Sequence, residues 1–569
     1  PIPNPQSPIP NPQSPFYKQL SLFSIKKNKI INKMRAKKIE KLLSYAGNEH
    51  RYQYFVLFIF LFLWANCNFV SVVLPYLERE PLINYYDDNG IFHEKEALSS
   101  EKCSYKYEIV KRFKYSWVNE FGIECDKLKI GLIGVFIFVG NTLGSIVFCI
   151  LQKYLPHKTT LILCSIGFII SAFLSTLVNN IKYIHYLYLC LIFNGMFSNC
   201  LNYSSLVICQ EIISSNKRSL FSAIINMGYG LCGIIYSFII MYVQNWRYDF
   251  YILIGLSLFD GILICIFVYN SPRVYIENGE IDKVHKILEC VACFNGLKKE
   301  FLEISKSEEY KQLIKEIIET SNYETDDEAG TELQDLTKEN IDKHDKLICL
   351  EELNKKKKKE KSIFISLKYP SLRYKFLILC FLWFGTRSTS NCIALFSKTL
   401  SGNYYLNIII SFMFESSAYF ITGFLINLKF LGRKGTLWLQ YFIIIISFLI
   451  LSLANISKII ELNLNFICRF SAAAVELVFF TYTLEVYPTP VRCLNFGINV
   501  TFGNIGSVIS PLIYEYLPSW IFLFSFAILM IIHSILLIFL PETEGKPMSE
   551  SIEELCDNNN EGNGNNNEI

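Results

Sequence analysis

The chain has 569 residues, of which 51% are hydrophobic and only 18% are charged, and its formal net charge is +3. Soluble domains carry about a quarter charged residues, so this composition excludes an ordinary soluble protein. The small net charge gives no support for a nucleic-acid partner. The 18 cysteines lie mostly in apolar stretches, and Cys290 and Cys293 lack a second pair at metal-binding spacing, so we expect no metal and no cofactor. No nucleophile–base set or phosphate loop indicates an enzyme.

The N-terminal segment, residues 1–53, is polar and basic. Residues 2–8 are repeated at once as 9–15, and this proline-rich composition predicts disorder over 1–33. Met34 is a candidate start residue. From Met34 to Ala46, apolar residues at helical spacing alternate with lysines, which predicts a helix lying on the inner membrane surface.

Twelve apolar runs follow, each near the length of about 20 residues that crosses a bilayer as a helix. They indicate an all-α membrane protein with twelve transmembrane helices. The predicted spans are 54–76, 130–152, 159–178, 185–209, 219–243, 249–269, 374–398, 404–428, 436–454, 462–486, 494–515 and 519–540.

Three polar regions separate or end these spans: residues 77–129, 270–372 and 542–569. Basic residues in the short loops fall on one side of the membrane when twelve spans are counted, which places the termini and 270–372 in the cytoplasm. The plasma membrane is the membrane in which we expect the protein. The outer loop 77–129 holds Cys103 and Cys125, for which a disulfide and two free thiols are both open. The central loop has predicted helices at 280–294 and 308–320. Its lysine run Lys355–Lys359 fits either contact with anionic lipid or a solvated linker.

The two halves of the chain repeat each other. Glu485 and Arg492 lie 274 residues after Glu211 and Arg218, at the ends of corresponding spans. The Gly432-Arg433-Lys434 motif has a degraded counterpart in Pro156-His157-Lys158. Repeated halves are typical of transporters, so we interpret 54–269 and 373–541 as two six-helix bundles.

Ionised side chains inside the spans are the first candidates for a function, and those expected to line a solute site are Arg387, Glu415, Arg469 and Glu476. Asp260 is expected to pack against a neighbouring helix or to lie in a small wet pocket. A charge at the bilayer centre costs about 3 kcal/mol on insertion scales, so each is expected to have a partner or a task. A polar central cavity and a structural ion pair of Arg387 with Glu415 or Glu476 are the two interpretations.

Amide and aromatic residues extend this set. Asn391 lies one helical turn beyond Arg387, the first span offers Trp64 and Asn68, and the fourth offers Asn202 and Tyr203. They would line the same cavity. Membrane asparagines also link helices through hydrogen bonds, and that alternative stays open for each of them.

A second group of charges lies at the cytoplasmic edge: Glu211, Arg218, Arg433, Glu485 and Arg492. Charges at helix ends can pair in one conformation and separate in another, which predicts a gate. The alternative is that the arginines only anchor the topology.

Several of these motifs resemble the major facilitator superfamily, namely the duplicated Glu…Arg bends, Gly432-Arg433-Lys434, and the closing Leu-Pro-Glu-Thr-Glu-Gly at 540–545. Leu-Glu-Val-Tyr-Pro-Thr-Pro-Val-Arg at 484–492 and the long first outer loop are similar to the organic cation, anion and carnitine transporter family. Sugar porters share several of these signatures. The resemblance implies two six-helix bundles around a cavity and alternating access by rocking one bundle against the other.

The chain departs from the family pattern at three places. The motif after the second span reads Lys-Tyr-Leu-Pro-His-Lys at 153–158, and Lys429 replaces an aspartate after the eighth. In the eleventh span, Asn504 stands where the family's cation transporters carry an aspartate and its anion transporters an arginine. Asn504 joins the candidate cavity residues, and the charge of the solute stays open.

The leading hypothesis is a transporter of a small polar or charged organic solute. A porter for a sugar or other neutral solute of the same fold is the first alternative, and a non-transporting membrane sensor is the second. The partners expected are an organic solute and the lipid bilayer. Proton coupling through Glu415, Glu476 or Asp260 is a further possibility.

Overall fold

The computed structural model describes residues 38–544 except 40, 48–49, 87–91, 99–101, 152–153, 214–216, 278–279, 318–364, 369, 398–399, 401, 427, 429, 455 and 488. The predictions for residues 1–33, for Lys355–Lys359 and for the tail beyond 544 therefore lie outside the described residues.

The first half of the chain folds into six membrane-length crossings. The first crossing is built from two consecutive helices, α1 (Arg51–Cys67) and α2 (Phe69–Leu77), which are separated at Asn68. The five others are α4 (Lys127–Leu151), α5 (His157–Thr176), α6 (Ile184–Ile212), α7 (Arg218–Val243) and α8 (Trp246–Phe267).

The second half repeats this pattern with six long helices. They are α13 (Pro370–Phe396), α14 (Tyr404–Leu425), α15 (Gly432–Leu453), α16 (Lys458–Val486), α17 (Thr489–Tyr516) and α18 (Ser519–Leu536). The predicted spans thus each coincide with one crossing, and the fold is two six-helix bundles.

Ten of the crossings in the described part of the chain are apolar and long enough to span a membrane by composition alone. Helices α13 and α17 have 27 and 28 residues but are more polar. Polar side chains of both helices are buried between helices: Cys380 Sγ on α13 is 3.0 Å from Asn499 Oδ1 on α17, and Asn495 on α17 accepts a hydrogen bond from Ser366 Oγ at 2.8 Å. A helix whose polar face is covered by protein can cross a membrane at a lower mean hydropathy.

The double-proline bend is shorter than the sequence suggests. Helix α16 ends at Val486 and α17 already begins at Thr489, whereas we expected the eleventh span to begin at 494. Pro490 falls in the first turn of α17, where the backbone N–H it lacks would have no intrahelical partner.

Residues 82–126 form a small subdomain at one end of the bundles, which we call the sheet end. Strands β1 (Leu82–Tyr86), β2 (Phe92–Ala97) and β3 (Tyr107–Lys111) make an antiparallel sheet in the order β2-β1-β3. Cys103 and Cys125 form a disulfide. Helix α3 (Trp117–Phe121) packs onto α8 through an edge-to-face contact of Trp117 with Trp246, at 5.5 Å between ring centroids. The sequence pattern predicts only a polar loop for this region.

The opposite end, which we call the terminal end, carries the remaining short helices: α9 (Pro272–Glu277), α10 (Ile281–Asn295), α11 (Lys298–Lys306) and α12 (Ile365–Lys368). Residues 308–317 are also helical. Asn295 joins this layer to the first bundle, because it accepts the Tyr52 N–H at 2.8 Å and donates to the Ala46 carbonyl at 2.8 Å.

The two bundles meet mainly along α4 with α17 and along α7 with α14. Glycines allow this close approach: a Cβ on Gly497 would overlap Cys149 Sγ, and one on Gly233 would overlap the Phe412 ring. The Gly497–Cys149 contact lies near the terminal end. At the sheet end, Tyr76 stacks on Tyr405 at 5.7 Å between centroids, so the bundles are in contact near both ends.

Candidate functional site

Two arginine–glutamate pairs lie within the second bundle at mid-helix positions. Arg387 on α13 contacts Glu476 on α16, with 2.7 Å between Nη1 and Oε1. Arg469 on α16 contacts Glu415 on α14, with 2.8 Å between Nη2 and Oε2. Arg387, Glu415, Arg469 and Glu476 are therefore brought together in the second bundle, and the partner of Arg387 is Glu476, whereas Asp260 lies on α8 of the first bundle.

Aromatic rings lie beside the arginine of each pair. The Arg387 guanidinium lies 5.7 Å from the Phe480 ring centroid and 5.9 Å from that of Trp383, and Arg469 lies 5.4 Å from that of Phe412. Arginine combines readily with carboxylates and aromatic faces, so this lining holds the guanidinium groups in place. A flat organic ion could make the same contacts.

The Arg387–Glu476 pair is the less enclosed of the two. The Arg387 side chain keeps 24% of its surface exposed, against 10% for Arg469. Among the described residues, Arg387 Nε and Ser390 Oγ are buried without a hydrogen-bond partner. Buried polar atoms are nearly always satisfied, so these two indicate a place for water or for polar groups of a solute. Asn391 is half-buried one turn further along α13.

Trp64, Asn68 and Asn202 are engaged within the first bundle. Asn68 and Asn202 donate to each other's side-chain oxygens at 3.2 and 3.0 Å, and Trp64 Nε1 donates to Ser205 Oγ at 2.9 Å. In this conformation they act as links between α6 and the first crossing, as the helix-linking alternative describes. Tyr203 is buried, and Asn199 and Asn504 are the polar side chains beside its hydroxyl.

Asn504 connects the two bundles. Its side-chain nitrogen donates to Ser145 Oγ at 2.9 Å and to the Asn141 carbonyl at 3.2 Å, both on α4. An amide can make and break such contacts without leaving a buried charge, which suits a surface that opens and closes.

At the terminal end, Arg433 and Glu485 form a two-point ion pair, with Nη2–Oε1 at 2.9 Å and Nε–Oε2 at 3.1 Å. Glu544 contacts Arg433 Nη1 at 2.7 Å, and Thr543 Oγ1 donates to Glu485 at 2.6 Å. The closing Pro-Glu-Thr-Glu motif thus completes this cluster. The sequence motif alone indicates no role for these glutamates.

Glu542 caps the beginning of α15. Its carboxylate accepts backbone N–H groups of Arg433 and Lys434 at 3.0 Å each. Burial would raise the pKa of Glu542, but these donors and two further backbone N–H groups outweigh it, so its pKa lies below the ordinary value. A carboxylate here also interacts favourably with the helix dipole.

The first bundle holds the counterpart of the Arg433–Glu485 pair. His157 Nε2 lies 3.9 Å from Glu211 Oε1, and His157 begins α5 as Arg433 lies at the beginning of α15. The other two residues named for the gate also lie at this end. Arg492 Nε donates to the Tyr487 carbonyl at 3.1 Å, and Arg218 is the first residue of α7.

The sequence profile of the Major Facilitator Superfamily matches residues 54–511 of this chain. Organic cation/carnitine transporter 4 of Arabidopsis thaliana is 24% identical over 90% of this chain and 90% of its own length. Solute carrier family 22 member 6 of Rattus norvegicus is 25% identical over 78% of this chain and 73% of its own. Solute carrier family 22 member 15-like of Xenopus tropicalis is 24% identical over 64% of this chain, which spans 66% of that relative's length.

Among solved structures, the proton:xylose symporter XylE bound to 6-bromo-6-deoxy-D-glucose superimposes with a TM-score of 0.58 at 14% identity, covering 89% of this chain and 98% of that protein. A partially occluded inward-open form of XylE from E. coli gives the same TM-score at 12% identity, covering 87% and 99%. Both share the fold of two six-helix bundles. The chain belongs to the Major Facilitator Superfamily and is a membrane transporter.

Proposed function

We propose that this transporter carries a small charged organic solute by alternating access, and that the solute binds beside Arg387 and Glu476. The observation that carries the proposal is the buried pair itself, at 2.7 Å between Nη1 and Oε1, with unpartnered polar atoms on the same helix. The names of the relatives, which include an organic cation/carnitine transporter, support the same solute class.

The physical reason is the cost of an isolated charge inside the membrane. Arg387 and Glu476 compensate each other when no solute is bound, so the empty site is neutral. A solute with a carboxylate can take the place of Glu476 at Arg387, and one with a cationic group can take the place of Arg387 at Glu476. A neutral solute offers neither exchange and would have to bind around an intact pair.

The more enclosed Arg469–Glu415 pair would hold the helices around this site in position and would stay paired when a solute binds. Glu415 also accepts a hydrogen bond from the Tyr419 hydroxyl at 3.3 Å, and Arg469 Nη1 lies 3.4 Å from the Ser390 carbonyl. These bonds connect α14, α16 and α13, so a change at one pair is transmitted to the helix that carries Arg387.

The proposal also includes the domain limits and the orientation in the membrane. The two bundles comprise residues 54–269 and 373–541. The terminal end faces the cytoplasm, together with residues 1–53, 270–372 and 542–569, and the sheet end faces outward from the plasma membrane. Glu211, Arg433 and Glu485 are the gate charges at the cytoplasmic end, with Arg218 and Arg492 at the adjoining helix starts. No catalytic reaction accompanies transport.

A neutral solute, such as a sugar, is the second candidate. It is favoured by Asn504, an uncharged side chain at the bundle interface that bonds to Ser145 and to the backbone of Asn141. If this alternative holds, Arg387 and Glu476 have a structural role alone.

Proton coupling would operate through a carboxyl group that can be neutral inside the membrane. Asp260 on α8 is 1% exposed, and the side chain beside its carboxylate is the neutral amide of Asn66. Glu415 and Glu476 are the other candidates. Uptake driven by an imposed pH gradient, and lost in Asp260→Asn, would identify Asp260; uptake indifferent to the gradient would contradict coupling.

Uptake into proteoliposomes of the full chain tests the function. The panel comprises a quaternary ammonium ion, an aromatic carboxylate, a betaine and a hexose, each with wild type, Arg387→Ala, Glu476→Gln and Ile467→Ala. Ile467 lies on the same helix as Glu476 with its side chain 41% exposed, so Ile467→Ala is the matched control. We expect uptake of at least one ion that both charge variants reduce and the control does not. Uptake of the hexose alone, unchanged in both variants, would contradict the proposal.

A further inference from the structure

At the sheet end, the guanidinium of Arg79 is enclosed by aromatic rings from both bundles. Arg79 follows α2, and its guanidinium carbon lies 3.8 Å from the ring centroid of Phe113 and 4.2 Å from that of Tyr404, the first residue of α14. Tyr405 is at 5.6 Å, and Arg79 Nη1 donates to the Tyr115 hydroxyl at 2.6 Å. One cation therefore contacts the first bundle, the sheet subdomain and the second bundle.

The surrounding contacts cross the same boundary. Tyr76 on α2 packs edge-to-face on Tyr404 at 5.5 Å and stacks on Tyr405 at 5.7 Å between centroids. The Tyr404 hydroxyl donates to the Pro75 carbonyl at 2.6 Å. That carbonyl belongs to the last turn of α2, where backbone oxygens have no intrahelical partner, so the second bundle satisfies it.

The sheet subdomain holds Arg79 in position from the other side. Ser116 Oγ and Asn119 Nδ2 both donate to the Arg79 carbonyl, at 2.5 and 3.1 Å. The backbone of Arg79 is thus fixed to the first bundle's own loop, and only its side chain reaches the second bundle. The contact between the bundles here consists of aromatic faces around a cation and one hydrogen bond from the Tyr404 hydroxyl, all of which can separate when the bundles move apart.

We propose that Arg79 closes the sheet end of the transporter by inserting between the bundles, and that withdrawal of its side chain from Tyr404 and Tyr405 opens the solute path on that side. This inference rests on the proposed alternating-access function. A cation over aromatic rings in a partly dry site is held firmly enough to keep this end shut, yet weakly enough to release it on the timescale of transport.

Accessibility of a reporter cysteine tests the closure without requiring any solute flux. Asn391→Cys places a thiol on α13 between Arg387 and the sheet end of that helix. The full chain is reconstituted, and a negatively charged, membrane-impermeant methanethiosulfonate is applied from the sheet side. The same protein without Asn391→Cys gives the background from native cysteines. Each reporter protein is then compared with and without Arg79→Ala, Arg79→Lys, Tyr405→Leu and Lys111→Ala.

Lys111 is the matched control, because its ammonium lies 5.4 Å from the same Phe113 ring but contacts no ring of the second bundle among the described residues. We expect Arg79→Ala and Tyr405→Leu to raise the labelling rate about fivefold or more, Arg79→Lys to raise it less, and Lys111→Ala to leave it unchanged. Tyr405→Leu tests the closure from the opposite bundle if Arg79→Ala does not fold. An unchanged rate in the folded Arg79 and Tyr405 variants, or an equal rise in Lys111→Ala, would overturn the proposal. Because labelling needs no transported solute, a failed uptake screen leaves this result interpretable.

Discussion

Arg433 and Glu485 join the beginning of α15 to the end of α16 through two parallel contacts of 2.9 and 3.1 Å. The same positions of the first bundle hold His157 and Glu211, 3.9 Å apart. The internal repeat therefore preserves the acid in both bundles but changes the base from a permanent cation to a titratable one. Arg433 carries its charge at every physiological pH, whereas His157 in the first bundle is charged only when it is protonated.

The contribution of the Arg433–Glu485 ion pair to the stability of the protein can be measured. We expect Arg433→Ala to lower the free energy of unfolding by about 3 kcal/mol, because Glu485 and Glu544 would lose their common partner in a partly buried place. Thermal unfolding in detergent, followed by intrinsic fluorescence, measures the change. Lys458→Ala, at the exposed beginning of α16 on the sheet end, serves as the control. Equal unfolding temperatures for the two variants would show that this ion pair contributes nothing to stability.

The histidine in the first bundle predicts a pH effect on transport. The His157–Glu211 contact is an ion pair only when the imidazole is protonated, and burial between the helix ends disfavours that charged form more than Glu211 favours it. We expect His157→Arg to make uptake independent of terminal-side pH between about 5 and 6.5, where protonation of His157 makes the wild-type rate vary. Proteoliposomes with buffered interiors of different pH give the measurement. A wild-type rate that is flat over this interval, or a His157→Arg profile with the same slope as wild type, would refute the idea.

We expect the two mid-membrane ion pairs to have different roles, one in stability and the other in solute binding. Glu415 and Arg469 are the more enclosed, so Glu415→Gln should reduce the unfolding free energy by about 3–5 kcal/mol. Arg387→Ala should raise the solute concentration needed for a given increase in unfolding temperature about tenfold or more, because it removes a binding group. Thermal unfolding with and without the transported ion measures both effects. The reverse ranking, with Arg387 mattering only for stability, would assign the solute site elsewhere.

Close approach of the bundles at the terminal end depends on Gly497. A Cβ there would overlap Cys149 Sγ, so Gly497→Val should hold α4 and α17 apart and favour a conformation open at the terminal end. We expect uptake to fall at least about tenfold while labelling of terminal-side reporter cysteines rises. Gly255→Val is the control, since an added Cβ at Gly255 meets nothing within 4 Å. Equal activity of the two valine variants would contradict a tight contact at Gly497.

The sequence alone predicts the number of crossings, their approximate limits and the two-fold repeat. This is because a membrane-spanning helix needs an apolar run of set length, and such runs can be read directly from the chain. It also predicts which residues are exceptional, since Arg387, Glu415, Arg469 and Glu476 stand out in apolar surroundings. The beginning of α17 was placed five residues late, because two prolines read as a break although one of them is compatible with a first helical turn.

Only the tertiary structure decided which groups meet. Arg469 and Glu476 lie two turns apart on α16, yet they pair with different helices, because pairing depends on how α13 and α14 are rotated and set in depth against α16. The small sheet escaped prediction because its short polar strands carry little alternation of apolar residues. The Arg79 cluster joins positions more than 300 residues apart in the chain, and no local pattern marks a contact that forms only when two bundles close.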